Sequence, residues 1–185
     1  MENQFSNMDI ENILKETPEA YNVFQKMPLS HRNEYIKWIN EAKKQETKER
    51  RLEKMISMLL DKINKEKTMK TLLKLEYIAL FVLGVVMFGQ SEYEWWWFLV
   101  LFFVPDLSMV GYLANPKIGA MFYNFAHHFG TAVIAFALGK YLSINELTLA
   151  GGILLAHSAF DRILGYGLKY SDDFKNTHLG KIGKK

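Results

Sequence analysis

Residues 154–170 read LLAHSAFDRILGYGLKY, and this stretch poses the problem that the rest of the sequence must solve. It is apolar enough to lie in a membrane, yet it carries His157, Asp161 and Arg162 within the apolar run. Charged or titratable side chains are costly at membrane depth, so they need partners or a function. His157 and Asp161 are four residues apart and therefore share one face of a helix. The pattern predicts a polar site inside an apolar helical domain.

The chain of 185 residues consists of two halves with unlike composition. Residues 1–70 hold 14 Lys/Arg and 12 Asp/Glu, whereas the remaining 115 residues hold 9 and 8. There is no cysteine, which excludes disulfides, thiolate metal sites and cysteine nucleophiles. The first residues, MENQFSNMDIEN, contain neither a basic segment nor an apolar core, so we expect no cleavable signal peptide. We expect the first hydrophobic span to act as its own insertion signal.

Four apolar runs follow, each long enough to cross the ~30 Å hydrocarbon core as a helix. They cover residues 71–89, 94–113, 118–142 and 145–168. Trp95, Trp96 and Trp97 at the edge of one run are typical of an interfacial anchor. Residues 64–70, NKEKTMK, predict a basic hinge before the first run. We therefore predict an all-α fold, with a four-helix transmembrane bundle over residues 71–170.

The basic residues predict how these spans are oriented. The hinge and the segment 171–185 are rich in lysine and lie on one side, as an even number of spans requires. The first turn holds Glu92 and Glu94 without a basic residue, and Lys140 in the third turn is the one dissenting charge. The positive-inside rule then puts both termini in the cytoplasm, with residues 171–185 as a cytoplasmic tail. We expect a multi-pass protein of the bacterial inner membrane, with the lipid bilayer as its first partner.

Helix signals also run through residues 1–70. Thr17-Pro18-Glu19 is typical of a helix start and Pro28 ends that helix. Apolar spacing predicts two further helices, over residues 31–44 and from about residue 47. Their shared core is expected to contain Tyr21, Phe24, Tyr35, Trp38, Leu52, Ile56 and Leu59. The charged run KKQETKERRLEK interleaves acids with bases, so we interpret it as a solvated helix face and expect no nucleic acid partner.

Several short pieces of residues 17–62 occur with a specific spacing. They are Pro18-Glu19-Ala20, Ser30-His31-Arg32, Glu34-Tyr35, Trp38-Ile39, Ala42-Lys43, Glu46-Thr47 and Arg50-Arg51. This pattern resembles the C-terminal helical region of the YdeI/OmpD-associated (bacteriocin-protection) family. The larger β-rich domain of that family has no counterpart in this sequence, so its activity is not carried over. The resemblance implies a small cytoplasmic helical module over residues 1–70 that interacts with a protein partner.

A second set of pieces begins near Leu75 and reaches nearly to the C-terminus. They are Pro105-Asp106-Leu107-Ser108, Gly111-Tyr112, Gly119, Tyr123-Asn124 with His127, His157 with Phe160-Asp161-Arg162, residues 164–170, and Phe174-Lys175 with Thr177-His178-Leu179-Gly180. These pieces resemble the membrane domain DUF4260. That family brings no established activity, so the resemblance implies a fold and not a mechanism.

Six polar residues lie at similar depth in the predicted spans. Counted from the cytoplasmic ends at ~1.5 Å per residue, they lie roughly 8 to 15 Å into the membrane. They are Glu76, Asp106, Asn124, His127, His157 and Asp161. His127 and His128 point ~100° apart on a helix, so only one of the two is expected to face inward. Apolarity alone does not align such residues, and a shared inward-facing site is the simplest explanation.

Three interpretations of this cluster stay open at the level of sequence. Polar side chains that hydrogen-bond across helices can simply fix the packing. Alternatively, a divalent metal ion that activates water can be ligated by His157, Asp161, Asp106 and His127. The protein would then be a membrane-embedded metal-dependent hydrolase, and these four residues would be its catalytic candidates. Carboxylate and histidine chains also relay protons, which suits a small proton or solute carrier acting as a homo-oligomer. The prediction is a polytopic inner-membrane protein with a buried His/Asp cluster, whose chemistry is open.

Overall fold

The computed structural model describes residues 4–183, most of which are helical. The helices are α1 (Asn7–Leu14), α2 (Pro18–Lys26), α3 (Leu29–Asn40), α4 (Gln45–Phe88), α5 (Trp96–Leu101), α6 (Pro116–His127), α7 (Phe129–Leu142) and α8 (Asn145–Leu164). A 3₁₀ segment (Val104–Leu113) lies between α5 and α6, and the short strands β1 (Asn176–Thr177) and β2 (Gly180–Lys181) pair antiparallel. The predicted predominance of helix is confirmed. The chain folds as two units, unit 1 up to Thr71 and unit 2 from Leu72.

Unit 1 begins with a helix that its own first turn stabilises. The Ser6 hydroxyl accepts a hydrogen bond from the Asp9 N–H at 3.3 Å, while the Asp9 carboxylate accepts one from the Ser6 N–H at 2.8 Å. This reciprocal cap satisfies backbone groups that a helix start leaves without partners. The Asn40 side chain donates to the Phe5 carbonyl at 2.8 Å and accepts from the Phe5 N–H at 2.9 Å. These bonds tie the start of α1 to the end of α3.

The core of unit 1 draws on all four of its helices. Its buried members are Ile10, Leu14, Ala20, Phe24, Ile39, Leu52, Met55 and Leu59. Of the predicted core residues, Phe24, Leu52 and Leu59 are buried, whereas Tyr21, Tyr35, Trp38 and Ile56 pack against this core from its partly exposed edge. Trp38 lies at that edge with the Arg51 guanidinium over its ring, 5.4 Å from the centroid.

The predicted basic hinge at residues 64–70 is wrong, because α4 runs through it without a break. The segment contains no proline or glycine, and Lys, Glu and Met are favourable helix formers. The Thr68 and Thr71 hydroxyls donate to carbonyl oxygens four residues earlier, at 2.9 and 3.0 Å, as such side chains do within helices. A high density of charge does not by itself end a helix.

Apolar helices dominate the rest of the chain. Three helical stretches are long and apolar enough to cross a membrane, by length and composition: Gln45–Phe88, Trp96–Leu113 and Asn145–Leu164. The shorter helix α7 is also apolar. These helices indicate a membrane protein.

Two of the four predicted spans are interrupted. The span predicted over residues 94–113 consists of α5 followed by the 3₁₀ segment, in which Pro105 lacks the N–H that a continuing helix needs. The span predicted over residues 118–142 divides at His128, whose φ of −88° and ψ of 124° are extended. The His128 Nδ1 accepts a hydrogen bond from the Gly130 N–H at 3.0 Å and thereby caps α7. The break separates α6 from α7 directly after His127.

Helix α8 is the most deeply buried helix of unit 2 among the described residues, and glycines let its neighbours approach it. A Cβ on Gly84 of α4 would lie 2.5 Å from the backbone nitrogen of Ala156, and one on Gly152 would lie 2.5 Å from that of Phe88. Real Cβ atoms do not tolerate such distances, so only glycine fits at either position. Small residues allow this close approach between membrane helices.

Residues 171–183, the described part of the segment predicted to be a tail, are folded. Helix α8 ends at Gly165, whose φ of 95° is left-handed and favours glycine. The chain then returns to α6, where the Asn124 side chain accepts from the Lys169 N–H at 2.7 Å and donates to the Lys169 carbonyl at 2.9 Å. The segment is therefore bound to α6 through Lys169. Further along the chain, strands β1 and β2 form a hairpin.

Removing the Phe24 side chain tests the core of unit 1. The Phe24→Ala variant is expected to lose roughly 3 to 5 kcal/mol of stability in unit 1, because a buried ring is replaced by a cavity. Amide hydrogen exchange of the full-length protein, read over α2 and α4, measures this loss. Leu29→Ala is the control, since Leu29 is 65% exposed and its truncation should cost little. Equal exchange rates in the two variants would contradict the core assignment.

Candidate metal centre

Helices α6 and α8 bring two buried histidines together. The Nε2 atoms of His127 and His157 lie 3.1 Å apart, and the rings meet nearly edge to face with centroids 5.0 Å apart. Their side chains are 0% and 1% exposed. Of the adjacent pair His127 and His128, it is therefore His127 that faces inward, while His128 is exposed.

Two carboxylates complete the group. Asp106 Oδ1, on the 3₁₀ segment, lies 3.5 Å from His127 Nε2 and 3.4 Å from His157 Nε2. Asp161, one turn after His157, places Oδ2 3.6 Å from His127 Nε2 and Oδ1 3.9 Å from His157 Nε2. One candidate ligand atom from each residue lies within 4.8 Å of the others. The structure thus brings together the four candidate site residues.

The spacing of these atoms suits a shared cation better than direct hydrogen bonds. A good N–H···O bond spans ~2.7–3.2 Å, so the four histidine–carboxylate separations are too long. A tetrahedral ion with bonds of ~2.0–2.2 Å keeps its ligand atoms ~3.4 Å apart. The separations that involve a histidine nitrogen, 3.1, 3.4, 3.5, 3.6 and 3.9 Å, scatter around that value, with Asp161 contributing Oδ2 towards His127 and Oδ1 towards His157. Imidazole nitrogen and carboxylate oxygen are also the donors that zinc and related divalent ions accept.

Tyr123 orients one ligand of each kind. The His127 Nδ1 donates to the Tyr123 carbonyl at 2.9 Å, so the neutral ring presents an unprotonated Nε2 to the centre. The Tyr123 hydroxyl donates to Asp161 Oδ2 at 2.7 Å. Its ring also stacks on the His127 ring with centroids 3.7 Å apart. Tyr123 therefore fixes the tautomer of one ligand and the rotamer of another.

Arg162 holds the surrounding backbone. Its guanidinium donates to the His127 carbonyl at 3.2 Å and to the Tyr166 carbonyl at 2.6 Å. It also lies over the Phe129 ring, 5.7 Å from the centroid. The arginine of the opening motif thus joins the end of α6 to the end of α8 through carbonyl oxygens.

His157 has an apolar surrounding on its other side. The rings of Phe102 and Phe103 meet it edge to face, with centroids 5.3 and 6.4 Å away. Its Nδ1 is buried and has no hydrogen-bond partner within residues 4–183. Within residues 4–183, the His157 ring therefore contacts polar atoms through Nε2 and not through Nδ1.

Two residues that share the predicted depth do not join the cluster. The Glu76 side chain is exposed on α4. Asn124 binds the backbone of Lys169 rather than the histidines. Depth along a span gives the position of a residue along the membrane normal but not the side of the helix on which it lies. It therefore groups residues that face different ways.

A cavity of about 420 Å³ lies beside the cluster. Its lining consists of Asp106, Met109, Tyr123, Asp161, Tyr166, Lys169, Phe174 and Ile182. The Asp106 side chain is 33% exposed, compared with 11% for Asp161. Access to the cluster therefore runs past its carboxylates, with Asp106 outermost.

Sequence reasoning assigned no role to Lys169. The residue is 6% exposed, and its ammonium donates to the Phe174 carbonyl at 2.9 Å. The Nζ lies 3.8 Å from the Phe174 ring centroid and 4.9 Å from that of Tyr123. Burial lowers the pKa of Lys169, and the nearby Asp161 and Asp106 charges act in the opposite direction. The only signal in the sequence was its place in residues 164–170, within the second resemblance.

Two family models match the chain, and both resemblances are confirmed. The model described as bacteriocin-protection, YdeI or OmpD-associated matches residues 7–62. The model described as a domain of unknown function, DUF4260, matches residues 70–182 and so includes all four cluster residues. No curated protein and no solved structure matches the chain. Because the second match covers more than half of the chain, this protein belongs to the DUF4260 family.

Proposed function

We propose that unit 2 is a membrane-embedded, metal-dependent hydrolase with a divalent ion at the His/Asp cluster. The observation that carries the proposal is the convergence of four side chains, with one candidate ligand atom from each within 4.8 Å of the others. Two carboxylates placed together in an apolar unit repel each other and lose hydration, and a dication offsets both costs. Zinc fits these donors and distances.

The four residues divide into holding and reacting groups. His127, His157 and Asp161 lie on α-helices and are almost fully buried, which suits ligands that keep an ion in place. Asp106 lies on the 3₁₀ segment, is the most exposed of the four and lines the cavity. A bound ion supplies Lewis acidity that makes water a nucleophile near neutral pH. Asp106, on the cavity side of the cluster, would act as the base that accepts a proton from water.

A purely structural cluster is the less well supported alternative. Polar groups that only fix helix packing are expected at hydrogen-bonding distance from each other. The Tyr123–Asp161 and His127–His157 contacts meet this criterion, but the four histidine–carboxylate contacts do not. The cavity along the carboxylates also gives the cluster access that a packing device does not need.

We also infer four membrane crossings with both termini in the cytoplasm. Support comes from the distribution of lysine and arginine, and α6 and α7 together supply the third crossing despite their break at His128. The resemblance of residues 7–62 supports an interaction role for unit 1 towards a protein partner.

Reporter fusions test this topology. Fusions after Lys70, Glu92, Asn115 and Asn145 are expected to read inside, outside, inside and outside in turn. Alkaline phosphatase reports the outer positions and a fluorescent protein the inner ones. Phosphatase activity from a fusion at the C-terminus would contradict the proposed orientation.

Metal binding tests the centre itself. The purified full-length protein is expected to bind a single Zn²⁺, measured by calorimetry and elemental analysis. His157→Gln should weaken binding by more than about a hundredfold, since even outer-shell changes cost 10–100-fold. His31→Gln is the matched control, because His31 is exposed on α3 in unit 1. Equal affinity in both variants, or a wild-type protein that takes up no metal, would refute the site.

The role of Asp106 is tested by separating binding from turnover. Asp106→Asn is expected to retain Zn²⁺ but to lose roughly 10² to 10⁴ of the hydrolysis rate, the usual range for a lost general base. A panel of p-nitrophenyl carboxylate and phosphate esters provides the assay. Asp61→Asn, on an exposed face of unit 1, is the control. Loss of zinc together with activity would make Asp106 a ligand rather than a base, and unchanged turnover would remove it from the reaction.

A further inference from the structure

Lys169 is a buried cation that the proposed hydrolytic centre does not use. An ammonium carries three N–H donors, and within residues 4–183 the Lys169 Nζ makes one hydrogen bond, to the Phe174 carbonyl. It has no ion pair within 4.0 Å in that part of the chain. The side chain lines the same cavity as Asp106 and Asp161. A ligand in the cavity therefore meets two metal-site carboxylates and this ammonium.

The backbone around Lys169 is held in place on both sides. Asn124 binds its N–H and its carbonyl, as described above. The preceding residue, Leu168, donates its N–H to His178 Nδ1 at 2.8 Å and accepts from the His178 N–H at 3.0 Å. Lys169 also pairs with Thr177 through an isolated bridge. A charge on so constrained a backbone is preorganised for binding, because little freedom is lost when a ligand arrives.

The charge balance of the loaded centre identifies the sign of the missing ligand. The Asp106 and Asp161 carboxylates would neutralise a divalent ion, which leaves Lys169 and Arg162 to be balanced only by the nearby Asp173 charge, so an excess of positive charge remains. The described hydrogen bonds of Arg162 go to backbone carbonyls, not to carboxylates. Buried unpaired charge is costly, so the cavity favours an anion. A phosphate monoester carries about −1.5 to −2 charge near neutral pH, which matches this excess.

The cavity wall has a polar and an apolar part. Asp106, Asp161 and Lys169 form the polar part, while Met109, Phe174 and Ile182 supply apolar surface. Its volume of about 420 Å³ falls within the range typical of small-molecule sites. Lysine binds phosphate as a point charge, and a metal ion polarises a phosphoryl oxygen.

We propose that this cavity binds a phosphate monoester, with Lys169 as the counter-ion that selects it. The proposal rests on the proposed metal site and names its substrate class. In the reaction, the water oxygen forms a bond to phosphorus and the ester P–O bond breaks. The proton that Asp106 accepts from water passes to the departing oxygen, so the products are an alcohol and inorganic phosphate.

Calorimetry on the zinc-loaded, full-length protein in phosphatidylcholine bicelles tests the proposal, with inorganic phosphate as the probe. Lys169→Met is expected to raise the Kd at least about tenfold, the value of one hydrogen bond to a charged group, and Lys169→Arg should restore much of it. Lys117→Met is the matched control, since Lys117 is exposed and lines a neighbouring cavity. Zinc content is measured in every variant. If Lys169→Met does not retain zinc, Lys169→Gln is judged by the same criterion, because its amide can still donate to the Phe174 carbonyl.

The possible outcomes distinguish a failure of this inference from a failure of the proposed metal-dependent function. If wild-type protein binds zinc but not phosphate, or binds phosphate equally well without the Lys169 charge, the substrate class is wrong and the metal centre stands. If wild-type protein binds no zinc, both proposals are overturned. Zinc binding together with Lys169-dependent phosphate binding supports both.

A second titration distinguishes a soluble ester from a lipid. Glycerol phosphate is compared with phosphatidic acid presented in phosphatidylcholine bicelles. Preference for either one supports the proposal and names its source. Binding of phosphatidylcholine as tightly as phosphatidic acid overturns it, because a phosphodiester headgroup lacks the second negative charge.

Discussion

The approach of two imidazole nitrogens to 3.1 Å is the constraint on which the rest of unit 2 depends. Two bare lone pairs at this distance repel, so either a proton or a cation lies between them. The hydrogen bond from His127 Nδ1 to the Tyr123 carbonyl leaves His127 Nε2 bare in the neutral ring. His157 can therefore donate a proton across the gap, or both nitrogens can bind one metal ion. Metal binding at this centre competes with that proton, and the same side-chain geometry serves both states.

Close helix packing in unit 2 supports this approach. Gly84 and Gly152 allow α4 and α8 to touch backbone to backbone, which seats the ligand-bearing face of α8 against its neighbours. Arg162 then joins the end of α8 to the His127 carbonyl, so α6 stops where its histidine meets His157. The carbonyl oxygens at these helix ends would otherwise lack a hydrogen-bond donor, and the buried Arg162 guanidinium supplies one.

Sequence periodicity predicted part of this arrangement and could not predict the rest. The pairing of His157 with Asp161 follows from a spacing of four residues, and counting depth brought Asp106 and His127 to the same level. Depth carries no direction, however, so Glu76 was grouped with them although it faces outward. The break at His128 has no proline to announce it, and its one signal in the sequence is Gly130, where a Cβ would lie 2.8 Å from the His128 Nδ1 that caps α7. The helical path of α4 through residues 64–70 was missed because charge was taken as a sign of irregular structure.

Tyr123 connects the metal centre to the cavity that we assign to a phosphate ester. Its carbonyl sets the tautomer of His127, its hydroxyl orients Asp161, and its ring lies 4.9 Å from the Lys169 ammonium. A cation near the face of an aromatic ring is attracted to it, so Lys169 and the two ligands share one neighbour. An anion that draws Lys169 towards the centre therefore acts on the side chain that also positions a ligand nitrogen and a ligand oxygen. In the proposed enzyme, binding of the ester group and arrangement of the ion would be coupled through this single tyrosine.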